Sequence, residues 1–104
     1  MAFELHDTVR IVSKPTNIVG VIGKTGFIDD VINDNYYLFS AVEKRGGVYS
    51  VIGSGGMFSQ NMVADNNEEV IEGRDYILGE RKANYDKLMA AVHLKNIIED
   101  DDEV

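Results

Sequence analysis

The chain has 104 residues, of which 44% are hydrophobic and 27% charged, with a formal net charge of −8 and no cysteine. This length fits one ordinary domain with a modest appendage, and the hydrophobic fraction is sufficient for a folded core. The lack of cysteine excludes disulfides and sulfur-ligated zinc or iron–sulfur sites, and the negative charge argues against a protein whose main work is to neutralise phosphates.

The N-terminal segment predicts the cellular location. Residues 1–10 include Glu4, His6 and Asp7, and they lack both a basic leader and the apolar stretch of a signal peptide. The longest apolar runs are a few residues, against the roughly 20 that a membrane-spanning helix needs. We therefore expect a soluble cytoplasmic protein with no membrane span.

The first 72 residues are predicted to form short strands separated by turn residues. Strands are predicted over residues 8–12, 18–22, 27–32, 36–42, 48–52 and 57–64, with a last one over 69–71. Turns are predicted over 14–17, 23–26 and 33–35, at Gly46-Gly47, and over 53–56, where the glycines are expected to end a strand. Turn signals that recur about every 8–12 residues are typical of a small barrel or sandwich.

From Glu80 the sequence predicts a helix, because good helix formers follow and no Gly or Pro interrupts residues 80–104. At 100° per residue one side of this helix carries Tyr85, Leu88, Met89 and Val92, and the nearly opposite side carries Leu94, Ile97 and Ile98. One small barrel cannot cover both sides. Either the helix bends or ends near His93, with a frayed turn folded back, or its last turns contact a partner or a second copy.

The charge divides the chain into three predicted segments. Residues 1–72 form a moderately acidic barrel with net charge −5, residues 73–98 form a linker and the C-terminal helix with net charge +2, and residues 99–104 form an acidic tail with five acids. The tail is expected to fray, since anions at a helix C-terminus oppose the helix dipole. The predicted fold class is therefore mainly β, a small barrel followed by a C-terminal helix and an acidic tail.

The barrel prediction rests on a family resemblance. Its motifs are Asp7-x-Val9-Arg10-Ile11, the glycine-bounded stretch of residues 23–28, the Gly46-Gly47 hairpin, and the closing Val63 with Glu69-Val70-Ile71. This order resembles the SH3-like barrels of the nitrile hydratase beta subunit, of a small accessory subunit of photosystem I and of the variable chain of ferredoxin–thioredoxin reductase, and is similar to KOW-type modules. The resemblance covers two-thirds of the chain and implies an accessory or docking unit whose chemistry is carried by a neighbouring subunit.

From its sequence we expect this chain to carry out no catalysis and to bind no cofactor or metal. Gly23-Lys24-Thr25 lacks the upstream glycine of a phosphate loop, and residues 53–56 lack the strand-turn-helix setting of a dinucleotide fingerprint. Only His6 and His93 are imidazoles, and neither has the spacing of a known metal motif. The oxygen-rich residues of 29–35 do not match a calcium loop, so a solvated loop is favoured there.

The predicted function is that of a non-enzymatic, protein-binding or accessory subunit, with a protein partner or self-association. The docking residues are predicted to be Tyr36, Tyr49, Met57, Phe58, Leu94, Ile97 and Ile98. Two alternatives remain: an acidic inhibitor that mimics nucleic acid, and a small-ligand-binding protein whose glycine-rich loops place Lys24, Arg45 and Ser54 near an anion. Direct nucleic-acid binding through a KOW-like face is disfavoured by the charge.

Overall fold

A computed structural model describes the backbone of residues 2–13 and 21–102 and the side chains of residues 2–13 and 21–93. Within these described residues, five strands precede one long helix. The elements are β1 (Thr8–Ile11), β2 (Thr25–Asn33), β3 (Tyr36–Arg45), β4 (Val48–Phe58), a 3₁₀ turn (Ser59–Asn61), β5 (Met62–Ala64) and α1 (Glu68–Asp102). The predicted fold class, mainly β with a C-terminal helix, is confirmed. The predicted turn at residues 14–17 lies outside the described residues, as does most of the strand predicted over 18–22, whose last two residues are not in a strand.

All strand pairs are antiparallel, in the order β4-β3-β2-β1-β5. Two predicted turns, over residues 33–35 and at Gly46-Gly47, connect β2 to β3 and β3 to β4 and are confirmed. Both glycines of the second hairpin have positive φ, which only glycine adopts without strain. The register shifts skip Asp29 and Ile32 in β2 and Ile52 in β4. They mark bulges in these two strands, and bulges bend a sheet and increase its twist.

The core lies on one face of this sheet. It is formed by alternate strand residues together with an N-terminal aromatic, and its members are Phe3, Val9, Ile11, Ile28, Tyr37, Phe39, Ala41, Met57 and Met62. The buried Tyr37 hydroxyl accepts a hydrogen bond from the Phe3 amide and donates one to the Asp34 carbonyl. This polar group is therefore satisfied inside the core, as burial requires.

The glycines at 53–56 do not end a strand, contrary to the prediction from their composition. β4 continues through them to Phe58, because Ala41, Ser40, Phe39 and Leu38 of β3 supply a backbone partner for each residue. Ladder hydrogen bonds join backbone groups and need no side chain. Asp29 and Asp30, predicted to lie in a solvated loop, are likewise part of β2.

The helix starts earlier and ends later than its predicted range. The strand predicted over Glu69, Val70 and Ile71 is wrong, because these residues lie in the first turn of α1. The Asn67 side chain accepts a hydrogen bond from the Glu69 amide, which is the contact of an N-cap, and acids in the first turn favour the helix dipole. The alternative in which the helix ends near His93 is also wrong, because α1 continues to Asp102.

Candidate protein-binding surface

The base of α1 packs on the sheet and contacts strands β1 to β4. Ile77 is buried against it, and Gly73 lies so close to Tyr49 and Val42 that a side chain there would crowd both. The Arg74 guanidinium donates to the His6 carbonyl at 3.1 Å. These contacts fix the direction in which the helix leaves the sheet.

A polar network forms the last contact of the helix with the sheet. The Arg81 guanidinium donates two hydrogen bonds to the Asp29 carboxylate, at 2.8 and 3.1 Å, and lies 5.5 Å from the Phe27 ring centre. The Ser40 hydroxyl donates to the same carboxylate and lies 2.9 Å from the Ser54 hydroxyl. The hydrogen bond from Arg81 lowers the pKa of Asp29 below 3.8, its ordinary value, although burial acts in the opposite direction. The network therefore links α1 to three strands.

Beyond Arg81 the described part of the helix has no sheet beneath it. Every residue from 79 to 93 is exposed, whereas residues at the base alternate between buried and exposed. The whole helix of 35 residues is about 52 Å long at 1.5 Å per residue. The 21 residues that follow Arg81 thus form an arm of roughly 32 Å.

The arm carries an exposed apolar stripe, which we define as Tyr85, Leu88, Met89 and Val92. Tyr85 and Leu88 are each 61% exposed, and Met89 and Val92 are 44% and 41% exposed. Taking about 200 Å² for a large side chain, the four expose roughly 400 Å². Monomeric proteins rarely expose contiguous apolar patches larger than a few hundred Å², and such patches are often functional.

The stripe continues the face by which the helix packs on the sheet. Spacings of three and four residues run without interruption through the positions 71, 74, 78, 81, 85, 88 and 92. The first four positions include the two arginine anchors, and the last three belong to the stripe. Such alternating spacing keeps positions on one side of a helix and is the pattern of helix pairing. The stripe therefore faces the space beside the barrel, where the sheet has ended.

Sequence reasoning placed these four residues on one side of a helix but did not name them as a docking surface. It implied that this side would cover the barrel. The missing information was the start of the helix at Glu68, because nearly ten turns of helix then extend beyond what the five-stranded sheet can cover. The Asn67-x-Glu69 cap was the signal from which this start could have been predicted.

The predicted docking residues of the barrel lie in separate places. Tyr36 and Phe58 pair across β3 and β4 with ring centres 4.9 Å apart, and Phe58 is exposed. Tyr49 lies at the other end of β4, against the helix base, where its hydroxyl donates to Glu72 at 3.3 Å. Partial burial, with Glu72 beside it, raises the pKa of Tyr49. Met57 is buried in the core. The predicted side-chain contacts of Leu94, Ile97 and Ile98 lie outside the described residues.

Two of the three predicted ligand contacts are close together. Lys24 and Ser54 line a cleft of about 210 Å³ whose other walls are mostly apolar, including Ile52 and Phe39. Arg45 does not line it. Its guanidinium lies 3.4 Å from the carboxylate of Glu43, which also lies 3.8 Å from the Lys24 ammonium.

A larger cleft of about 460 Å³ lies between the helix base and the sheet. Its walls carry both charge signs, with Arg10 and Lys44 beside Asp65 and Glu69.

Among residues 2–13 and 21–93, no group of three or more His, Cys, Asp or Glu residues is placed to hold a metal ion. In the part of the chain that the structure describes, no helix has the length and apolar character needed to cross a membrane.

No protein-family model and no curated protein matches this chain.

Proposed function

We propose that this chain is a non-enzymatic, protein-binding or accessory module that docks on a partner through its helical arm and the adjoining barrel surface. The observation that supports this most directly is the continuation of the sheet-packing face of α1 into the exposed stripe of Tyr85, Leu88, Met89 and Val92. The exposed part of such an apolar face lies in solvent, and its burial under a second protein lowers the free energy of the system. We therefore assign the function to the exposed surface where the arm leaves the barrel, and not to a pocket.

The barrel part of the proposal is an SH3-like barrel of the accessory-subunit kind. The strand order supports it: a meander of β2, β3 and β4, then a 3₁₀ turn, then β5 returning beside β1. We assign residues 1–72 to this barrel unit, 73–98 to the linker and helix, and 99–104 to the acidic tail, although α1 already begins at Glu68. The module is proposed to act in the cytoplasm.

The barrel supplies rigid contacts beside the arm. The proposed docking residues are Tyr36, Tyr49, Phe58, Leu94, Ile97 and Ile98, to which we add the stripe. Met57 is left out of this set, because it is buried in the core. Among the barrel residues Phe58 has the most accessible ring, and its partner Tyr36 lies over Gly56, where any side chain would overlap the tyrosine hydroxyl. Aromatic residues held in this way contribute contact area with little loss of conformational entropy.

A matched pair of substitutions tests the proposal. Leu88→Asp places a charge in the stripe, and Ala83→Asp places the same charge on the opposite side of the arm. We expect the proteins that co-purify with the wild-type chain from its native cell extract to remain with A83D and to be lost with L88D. Both variants should keep the wild-type Tm, because both sites are exposed and lie beyond the sheet. Equal co-purification with the two variants would contradict the proposal.

A second candidate function is binding of a small ligand in the cleft beside Lys24 and Ser54. It is favoured by the mostly apolar walls and by the Lys24 ammonium at the edge, which would exchange its exposed ion pair with Glu43 for a small organic anion. The volume of about 210 Å³ lies below the range of roughly 300–1,000 Å³ that is usual for ligand sites, so this candidate comes second. A Tm increase with any member of a panel of carboxylate and phosphate metabolites, lost in Lys24→Met, would support it.

A further inference from the structure

We propose that the cleft of about 460 Å³ between the base of α1 and the sheet binds a small zwitterion, namely an amino acid or a dipeptide with an apolar side chain. This binding goes beyond the docking function and does not depend on it. The last helix residue that lines the cleft, Gly73, precedes Tyr85 of the stripe by about 18 Å of helix. Three features of the cleft support the proposal: its size, the placement of opposite charges on different walls, and the lack of ion pairs between these charges among the described residues.

The cleft lies on the N-terminal side of a close contact between the helix and the sheet. At Gly73 a Cβ atom would lie 3.1 Å from the Tyr49 ring and 3.2 Å from the Val42 side chain, so the missing side chain brings the helix near to both. The helix residues that line the cleft, Glu69, Val70 and Gly73, lie at or before this contact. The volume of about 460 Å³ is within the range of roughly 300–1,000 Å³ that is usual for ligand sites.

Positive and negative side chains lie on different walls of the cleft. The sheet contributes Arg10 from β1 and Lys44 from β3, and β2 separates these strands by roughly 10 Å in the hydrogen-bonding direction. The segment that leads into α1 contributes Asp65, and the first turn of the helix contributes Glu69. The remaining charged residue of the cleft, Glu43, already makes two ion pairs. A sheet wall that carries two cations therefore faces a helix wall that carries two carboxylates.

The two walls do not neutralise each other. In the part of the chain that the structure describes, no ion pair within 4.0 Å joins Arg10 or Lys44 to a carboxylate. The Lys44 ammonium lies instead 5.4 Å from the centre of the Tyr49 ring, and one carboxylate oxygen of Asp65 accepts a hydrogen bond from the Asn67 amide at 3.0 Å. A molecule that turns an anion to the sheet and a cation to the helix makes charge-assisted hydrogen bonds with both walls, and such bonds are about twice as strong as neutral ones.

The balance of charge selects a zwitterion over a simple anion or cation. An inorganic anion would meet two cations but would lie beside two carboxylates, in a chain whose net charge of −8 repels anions. A simple cation would lie beside the two cations of the sheet wall. In a dipeptide the ammonium and carboxylate are about 7 Å apart in an extended chain, so one molecule spans a gap that the side chains leave open. Val42 and Val70 are half-buried and line the same cleft, and they supply the contact for an apolar side chain.

Nuclear magnetic resonance titration of the isotope-labelled full chain tests the site. The probes are phenylalanine, leucine, glycylphenylalanine and glycylleucine, each with its N-acetyl form as the matched anion and its amide form as the matched cation. We expect at least one zwitterion to shift the backbone amide resonances of Thr25, Val70 and Gly73 in a saturable way. Its dissociation constant should be lower than that of either matched control by about tenfold or more.

Two substitutions test the two walls separately. Arg10→Met removes a cation from the sheet wall, and Glu69→Gln removes a carboxylate from the helix wall at nearly constant size. Both side chains are exposed, so circular dichroism should show the wild-type fold, and each variant should raise the dissociation constant by about tenfold or more. Lys87→Met removes a cation from the arm and should bind the probe like the wild-type chain.

The proposal is overturned if none of the four zwitterions shifts these resonances at millimolar concentration, or if a matched control binds as tightly as its zwitterion. Wild-type affinity in either R10M or E69Q also overturns it. Resonance shifts centred on Ile52 and Ser54 would place the ligand in the smaller cleft of about 210 Å³ and would exclude the site at the helix base.

Discussion

Replacing Arg81 with methionine removes the contact that fixes α1 to the sheet just before the helix becomes an arm. Methionine keeps most of the aliphatic stem and the helix propensity of arginine, so the change isolates the charged group. What is lost is the pair of hydrogen bonds to Asp29 and the cation–π contact with Phe27. The carboxylate of Asp29 then keeps only the hydrogen bond from Ser40.

The expected size of the effect follows from the exposure of the two partners. A hydrogen bond to a charged group contributes about 1.5–3 kcal/mol, but the Arg81 side chain is 45% exposed and solvent screens the pair. The cation–π contact adds about 0.5–1 kcal/mol at an exposed site. We expect R81M to lower the free energy of unfolding by about 1.5 kcal/mol, and Tm by about 6–12 °C for a domain of this size.

Thermal and urea denaturation followed by circular dichroism measure this loss, with Lys87→Met as the control. Lys87 lies on the exposed arm and its replacement removes the same charge, so K87M should keep the wild-type Tm within about 2 °C. Equal Tm values for R81M and K87M would refute the anchoring role of Arg81.

The same pair predicts a dependence on pH. In the folded protein the pKa of Asp29 is lowered below its ordinary value of 3.8. The ion pair of Asp29 with Arg81 therefore contributes fully to folding stability at pH values above 3.8. Its contribution is lost as the pH falls through the lowered folded pKa. The difference in stability between wild type and R81M should therefore be constant near neutral pH and disappear in strong acid. A difference that grows in acid would contradict the assignment.

Four further substitutions test the sheet and the helix start by urea denaturation. Gly26→Ala should lower the free energy of unfolding by about 3 kcal/mol, because its Cβ would overlap a backbone carbonyl of β3. Gly53→Ala has open space around it and should change that free energy by less than about 1 kcal/mol. Equal denaturation midpoints for the two variants would contradict the register. Tyr37→Phe should cost about 1–3 kcal/mol by leaving the Phe3 amide unpaired, and a neutral result would exclude that hydrogen bond. Asn67→Ala should cost about 1 kcal/mol through loss of the helix cap, which an unchanged midpoint would disprove.

The hairpins of the sheet were predictable because their signals are local. Asn33-Asp34-Asn35 and Gly46-Gly47 supply turn chemistry between β-prone runs, and both form the predicted hairpins. The glycines of β4 show where local reasoning fails. They have low strand propensity, but the paired residues of β3 keep them in the ladder, and this pairing is a property of the fold rather than of the segment.

The candidate surface was predictable in part. The periodicity placed Tyr85, Leu88 and Val92 on one side of a helix, and the structure confirms that the helix forms there. The sequence did not reveal that this side is exposed, because exposure depends on where the sheet ends relative to Arg81. The capping role of Asn67 and the ion pair of Arg81 with Asp29, 52 positions apart, determine that geometry.

Site-specific photo-crosslinking tests the central claim most directly. A photoreactive amino acid is introduced at position 88 of the stripe, or at position 83 on the opposite side of the arm, and the chain is irradiated in its native cells. We predict a covalent protein adduct from position 88, of twice the chain mass if the partner is a second copy, and little from position 83. Equal adduct yields at the two positions, or no adduct from position 88, would contradict the assignment of this face as a protein-binding surface.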